Sequence, residues 1–161
     1  MKKKNSKLSY LVVPLIAVVT LTMGNYATNL GLSGWYQILK LPDFTPDGLF
    51  IGIIWAVIYI LTTISVLIYI NKVGEKDERY NAVLGLFGIN ALLNILWSFI
   101  FFAWHSLDWA VYEMIILEIT NAMLVVYIWK RSKLASILLW PYLIWVGFAT
   151  YLAIQILILN S

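Results

Sequence analysis

Four long stretches of the chain contain no acidic or basic side chain. They run from Leu8 to Leu39, from Gly48 to Asn71, from Tyr80 to Leu107 and from Leu134 to Ser161. A fifth stretch, Trp109 to Trp129, is interrupted only by Glu113 and Glu118. Because a helix needs about 20 apolar residues to cross a bilayer core, the pattern predicts five transmembrane helices. Their approximate limits are 8–30, 49–70, 80–103, 109–129 and 134–159.

These stretches are apolar on every side, whereas the strands of a membrane barrel alternate apolar and polar residues. Only helices and closed barrels satisfy their backbone groups in lipid. We therefore predict an all-α integral membrane bundle that forms a single domain over residues 1–161. The basic leader with Lys2, Lys3, Lys4 and Lys7 resembles the start of a signal peptide. Since the apolar run that follows is too long for one and has no small-x-small site, we expect no cleavage.

The composition agrees with this class, because 62% of the residues are hydrophobic and 12% are charged. An average soluble domain has roughly 25% charged residues. The chain has no cysteine and its one histidine is His105, which excludes disulfides, thiolate metal sites and a set of imidazole ligands. We expect no metal, no cofactor and no nucleic-acid partner.

Basic residues are distributed unevenly between the two sides of a five-span topology. Of 11 lysines and arginines, Lys40 alone falls on one side. The other side collects Lys2, Lys3, Lys4, Lys7, Lys72, Lys76, Arg79, Lys130, Arg131 and Lys133. The positive-inside rule then predicts a cytoplasmic N-terminus and a C-terminus outside.

The first loop, residues 31–48, is long and rich in residues that favour burial. Long loops without their own helix are often functional or disordered, and two prolines restrict this backbone. We interpret the loop as a packed lid, carried by Trp35, Pro42, Phe44 and Pro46. The alternative is an aromatic belt segment that lies on the membrane interface.

Three helices each present a face that carries tryptophan. The faces are Trp55, Tyr59 and Thr62 on the second helix, Asn90, Asn94, Trp97 and Phe101 on the third, and Trp145, Phe148, Ala149 and Leu152 on the fifth. Since asparagine is costly in hydrocarbon unless it is hydrogen-bonded, its face should point inward. Together with Tyr36 of the lid, these residues predict a pocket for a large planar apolar ligand. The alternative is a filled core, and Trp104 and Trp109 are assigned to the interface belt.

Small residues form the opposite face of the third helix, at Gly85, Gly88 and Ala91. Small residues let helix backbones approach closely in lipid. The face is a candidate homodimer contact, and packing against another helix of the same chain is the alternative.

Acidic residues on the fourth helix do not form a paired carboxylate site, because Glu113 and Glu118 are five positions apart. Glu113 should reach the headgroups, whereas Glu118 should share a buried face with Asn121; a proton relay remains open. His105, Ser106 and Asp108 lie close in sequence without a nucleophile elbow, so no catalytic triad is predicted. His105 as an axial haem ligand also remains open.

Four motifs carry a family resemblance that runs along nearly the whole chain. They are W-Y-x-x-L-x-x-P-x-F-T-P (Trp35 to Pro46), I-G-x-I-W-A-V-I-Y (Ile51 to Tyr59), N-x-x-W-S-x-x-F-F (Asn94 to Phe102) and W-P-Y-L-I-W-V-G-F-A-T-Y-L (Trp140 to Leu152). The sequence resembles the TspO/MBR family of tryptophan-rich sensory proteins and translocator proteins, also known as peripheral-type benzodiazepine receptors. Asp47 and Leu41 depart from the family's loop pattern. The cholesterol-recognition pattern of animal members is missing, because no basic residue follows Lys133.

The resemblance implies a bundle, usually dimeric, with a pocket under the first loop for porphyrins such as protoporphyrin IX and for benzodiazepine-type or isoquinoline ligands. The matching positions are Tyr36, Trp55, Asn90, Trp145 and Ala149. The leading hypothesis is a porphyrin sensor that regulates tetrapyrrole handling or a stress response. The alternatives are a transporter of apolar small molecules and a light- and oxygen-dependent porphyrin-degrading activity that uses Trp55 and Trp145.

Overall fold

A computed structural model of the chain describes residues 4–73 and 77–161. Lys2, Lys3 and Lys76, which the charge pattern assigns to the basic side, lie outside the described residues. Six α-helices and a short 3-10 helix in the first loop, Trp35–Ile38, make up most of the described chain. The helices are α1 (Lys4–Leu32), α2 (Gly48–Lys72), α3 (Tyr80–Ser98), α4 (Leu107–Trp129), α5 (Lys133–Ile137) and α6 (Trp140–Asn160).

The described residues contain five helical segments long and apolar enough to cross a membrane. The third of these segments, Tyr80–Ala103, includes a π-helical end, and the fifth, Lys133–Asn160, combines α5 and α6. The prediction of an all-α integral membrane bundle with five transmembrane helices is therefore confirmed.

Two spans are less regular than the sequence pattern predicts. The third span ends in a π-helical turn, Phe99–Ala103, where the Trp104 amide donates to the carbonyl of Phe99 at 2.9 Å. The fifth span is divided, because Pro141 lies at the start of α6 and has no N–H to continue the helix from α5.

The helices form a closed ring in which α1 packs against α2 and α3, while α4 packs between α3 and α6. Helix α2 meets the fifth span mainly through α5 and touches α6 at few points. At that junction the Ser65 hydroxyl donates to the carbonyl of Ala135 at 2.6 Å. The gap between α2 and α6 leaves room inside the ring, at the end that carries the first loop.

We call the end of the bundle that carries the first loop the lid end, and the opposite end the basic end. The basic end carries Lys7, Lys72, Arg79, Lys130, Arg131 and Lys133 among the described residues. There the Arg131 Nε donates to the Asp77 carboxylate at 2.5 Å and links two connections of the bundle. This contact lowers the pKa of the Asp77 carboxyl.

Candidate ligand-binding site

A cavity of about 410 Å³ lies under the first loop, inside the ring of helices. We call it the lid-end cavity. Its volume is within the range of roughly 300–1,000 Å³ that small-molecule sites occupy. Aromatic side chains dominate its wall: Tyr36, Trp55, Tyr59, Trp97, Phe101, Phe102, Trp145 and Phe148.

Eight of the nine residues that the sequence assigned to a ligand site line this cavity. They are Tyr36, Trp55, Tyr59, Asn94, Trp97, Trp145, Phe148 and Ala149. The ninth, Asn90, does not line it. Helical spacing thus brings the tryptophan faces of α2, α3 and α6 around one space, which agrees with a pocket more closely than with a filled core.

Ring contacts hold the indoles of the wall in place. Trp55 stacks on Tyr59 with centroids 5.8 Å apart and meets Tyr142 edge-on at 6.0 Å. Trp97 stacks on Phe101 at 5.2 Å, and Trp145 packs on Phe148 at 5.4 Å. Because neighbouring rings restrict each indole, the wall offers a preorganised surface for a flat apolar molecule.

Two hydrogen-bond donors on the wall have no partner among the described residues. They are the indole Nε1 atoms of Trp97 and Trp145, both of which are buried. An indole nitrogen is a donor only, and leaving a buried donor unsatisfied costs about 1–3 kcal/mol. Because both nitrogens are closed off from the open space of the cavity, a ligand could accept from them only after the indole rings move.

The first loop reaches the cavity through Tyr36, while Trp35 and Phe44 pack on neighbouring segments and do not line it. Trp35 stacks on His105 with centroids 4.6 Å apart and planes 15° apart, while Phe44 stacks on Tyr151 at 5.6 Å. Tyr36 reaches the cavity wall, and burial raises the pKa of its phenol.

Hydrogen bonds fix the middle of this loop and the end that leads into α2. Asn160 at the end of α6 donates to the carbonyl of Lys40 at 2.9 Å and accepts from its amide at 3.0 Å. Pro42 accepts from the Thr45 amide at 3.0 Å in a turn that leads to Pro46. Asp47, a departure from the family pattern, caps α2 by accepting from the Phe50 amide at 2.9 Å. Asp47 therefore anchors the end of the loop to the start of α2.

The asparagines of α3 belong to a buried network that joins three helices. The Asn90 amide donates to Thr120 Oγ1 and to Asn121 Oδ1, each at 3.2 Å, and accepts from the Tyr142 hydroxyl at 2.8 Å. Asn94 donates to the same hydroxyl and also lines the lid-end cavity. This face points inward, as expected. The Asn90 amide, however, is hydrogen-bonded to side chains of α4 and α6.

Asn90→Leu should consequently lower the stability of the fold by about 1–3 kcal/mol, because it leaves Tyr142 and Asn121 with unpaired buried groups. Affinity for a ligand of the lid-end cavity should change less than stability does. A thermal melt in detergent, compared with Leu92→Ala on the exposed face of α3, measures the first effect. An unchanged melting temperature in Asn90→Leu would contradict the role of the network.

Sequence reasoning missed the contribution of α1 to the wall. Leu21, Gly24, Asn25 and Thr28 of this helix all line the cavity. The available signal was the pair Asn25 and Thr28, which are three positions apart and place two polar groups on one face of an apolar span.

The remaining titratable residues lie apart from the cavity wall. Glu113 is only 5% exposed, so the expectation that it reaches the headgroups is wrong; it shares a buried face of α4 with Ala110 and Leu117. Glu118 is half-buried, and its carboxylate lies beside Gly147 of α6. Ser106 donates to Asp108 at 2.8 Å while the ring of His105 stacks on Trp35, an arrangement unlike that of a Ser-His-Asp triad.

Gly85 and Gly88 are both exposed, and a Cβ built on either meets no heavy atom within 4 Å. Ala91 is partly buried. This face of α3 is open at its glycines, and a homodimer contact there stays a prediction. Trp104 and Trp109, assigned to the interface belt, are 63% and 64% exposed.

Comparisons with known proteins show the family to which this chain belongs. Residues 11–159 match the TspO/MBR family. Tryptophan-rich protein TspO of Archaeoglobus fulgidus is 34% identical over 152 residues, which cover 94% of this chain and 97% of the relative. The protein of that name from Bacillus cereus is 36% identical over 126 residues, 78% of this chain and 80% of the relative. The human translocator protein is 30% identical over 118 residues, 73% of this chain and 70% of the relative. The chain is an integral, multi-pass membrane protein that belongs to the TspO/MBR family.

Proposed function

We propose that this protein is a membrane-embedded binding protein and sensor for porphyrins and related planar apolar ligands. The observation that carries the proposal is the lid-end cavity, where α2, α3 and α6 each contribute one indole to a space of about 410 Å³. The family resemblance supports the same ligand class. As a sensor the protein would regulate tetrapyrrole handling or a stress response.

The chemistry of the wall favours a tetrapyrrole over a purely aliphatic ligand. A porphyrin has a broad flat face that stacks on indole rings. The three indoles and the neighbouring aromatic rings of the lid-end cavity match that face.

Binding is tested by titrating protoporphyrin IX into the full chain in nanodiscs, with tryptophan quenching as the readout. We expect saturable quenching with one site per chain, because the three indoles line a single cavity. Empty nanodiscs to which free tryptophan analogue is added serve as the control for partition into lipid. Quenching that rises without saturation would contradict the proposal.

A light- and oxygen-dependent degradation of porphyrin is the second candidate, because Trp55 and Trp145 both line the lid-end cavity. Indoles beside an excited macrocycle are oxidisable groups. If the protein only binds, illuminated protoporphyrin should lose its Soret band equally fast with wild type and with Trp55→Phe plus Trp145→Phe at matched occupancy. Faster loss with the wild type would establish degradation.

Transport is the third candidate, and the name of the human relative, translocator protein, points in its direction. No protein-dependent flux of porphyrin across proteoliposomes is expected from a sensor.

The charge asymmetry supports an orientation with the basic end and the N-terminus in the cytoplasm, and the lid end and the C-terminus outside. A homodimer through Gly85, Gly88 and Ala91 stays a separate prediction, and in such a dimer a second chain would cover this face of α3.

A further inference from the structure

A second cavity, of about 350 Å³, lies toward the basic end between α1, α2 and α3. We call it the basic-end cavity. It shares only Tyr59 and Asn94 with the lid-end cavity. Its wall is mainly apolar, with Leu8, Val12, Ile16, Val66, Ile70 and Leu84 among the lining residues. It also carries Tyr59, Phe87, Asn90 and Tyr142, but no indole lines it. A flexible hydrocarbon chain therefore matches it better than a flat aromatic ligand.

The length of the basic-end cavity matches one leaflet of a bilayer. Its lining on α1 extends from Leu8 to Thr20, and twelve residues at 1.5 Å each span about 18 Å. One leaflet supplies about half of the ~30 Å hydrocarbon core, roughly 15 Å. The cavity thus runs from the basic end to the middle of the bundle, as an acyl chain does in lipid.

The cavity opens to the outer surface of the bundle on the α3 side. At the basic end, α2 and α1 are tied together, because the Asn71 amide donates to the Tyr10 hydroxyl at 3.0 Å. On α3, by contrast, Gly88 lines the cavity, is exposed and leaves open space where a Cβ would lie. In the monomer, a lipid chain can reach the cavity at this glycine without displacing a side chain.

Positive charge flanks the cavity at its basic end. Lys7 precedes the lining residue Leu8, and Lys72 lies two positions beyond the lining residue Ile70; both lysines are exposed. Arg131 is paired with Asp77. The guanidinium of Arg79 lies 5.5 Å from the ring centroid of Tyr127, and Lys133 Nζ lies 5.8 Å from that of Trp129.

We propose that the basic-end cavity binds one acyl chain of an anionic phospholipid from the leaflet on the basic side, and that Lys7 and Lys72 hold its phosphate. The mainly apolar wall without an indole, the leaflet-matched length and the adjacent lysines each support this occupant. The site is separate from the porphyrin site, and its existence does not depend on the proposed function.

The test uses phosphatidylglycerol with a photoreactive diazirine in its acyl chain, added to the full chain in phosphatidylcholine nanodiscs. Cross-links should map to residues 8–20 and 84–91 by mass spectrometry. Gly88→Leu should reduce their yield about tenfold, because its side chain enters the cavity. Gly85→Leu is the matched control, since Gly85 is equally open but does not line the cavity, and its yield should stay unchanged. If Gly88→Leu lowers the melting temperature, the same experiment is done with Ala91→Leu, because Ala91 also lines the cavity.

A second part of the experiment tests the contact between the lysines and the lipid headgroup. Lys7→Gln plus Lys72→Gln should weaken capture of phosphatidylglycerol by roughly fivefold per lysine, while Lys130→Gln plus Lys133→Gln should not. Capture of a diazirine phosphatidylcholine should not respond to either pair. Cross-links spread evenly over all lipid-facing helices, equal yields in Gly88→Leu and Gly85→Leu, or displacement of the lipid by protoporphyrin IX would each overturn the proposal. The last outcome would mean that the two cavities form one passage.

Discussion

Alanine in place of either Trp55 or Trp145 should lower the affinity for protoporphyrin IX by about five- to 150-fold. Each indole lies on the wall of the lid-end cavity, so its removal takes away stacking and apolar contact worth roughly 1–3 kcal/mol. The measurement is a titration of each purified variant. Because each variant also loses a fluorophore, the shift of the porphyrin absorbance band serves as the readout, and a thermal melt confirms that the variant is folded.

Trp104→Ala and Trp109→Ala are the matched controls for this experiment. Both side chains are more than 60% exposed and lie outside the lid-end cavity, so their loss should change porphyrin affinity by less than about twofold. If Trp104→Ala weakened binding as much as Trp55→Ala, the porphyrin would be bound by the exposed aromatic belt, and the lid-end cavity would not be its site.

The sequence was sufficient to predict the faces of α2 and α6. Charge-free runs of this length force a helix in lipid, and a fixed helical period then sets which residues share a face. Trp55 and Tyr59 therefore had to lie together, as had Trp145 and Ala149. The spacing could not give their distance across the bundle, because that depends on how far α2 stands from α6.

The helical spacing of residues could not predict which groups the buried polar side chains bind. Asn90 binds Thr120 and Tyr142, which are 30 and 52 positions away in sequence, and the relative heights of the three helices decide such pairs. Glu113 shows the same limit, since α4 packs between two neighbours and buries a position close to its end. Helix α1 did carry a signal, because Asn25 and Thr28 share one face of it, but no tryptophan marks that face.

Gly31 is the position where we expect the largest effect on folding. A Cβ built on it would lie 2.1 Å from the carbonyl oxygen and 2.9 Å from the carbonyl carbon of Phe102, in the π-helical end of the third span. Ordinary carbon–oxygen contacts are about 3.3 Å or longer. Both atoms are backbone, so α1 would have to move away by about 1 Å. Gly31→Ala should cost about 3 kcal/mol or more, measured as a lower melting temperature in detergent.

The same substitution should also weaken porphyrin binding, because the first loop leaves α1 directly after Gly31 and carries Tyr36 to the cavity wall. Gly34→Ala is the matched control at the lid end, since a Cβ on Gly34 meets no heavy atom within 4 Å. It should leave both the melting temperature and the affinity close to those of the wild type. Equal behaviour of the two alanine variants would show that α1 and the π-helical turn are not in close contact. A loss of stability in Gly31→Ala alone would establish that this contact sets the position of the loop over the cavity.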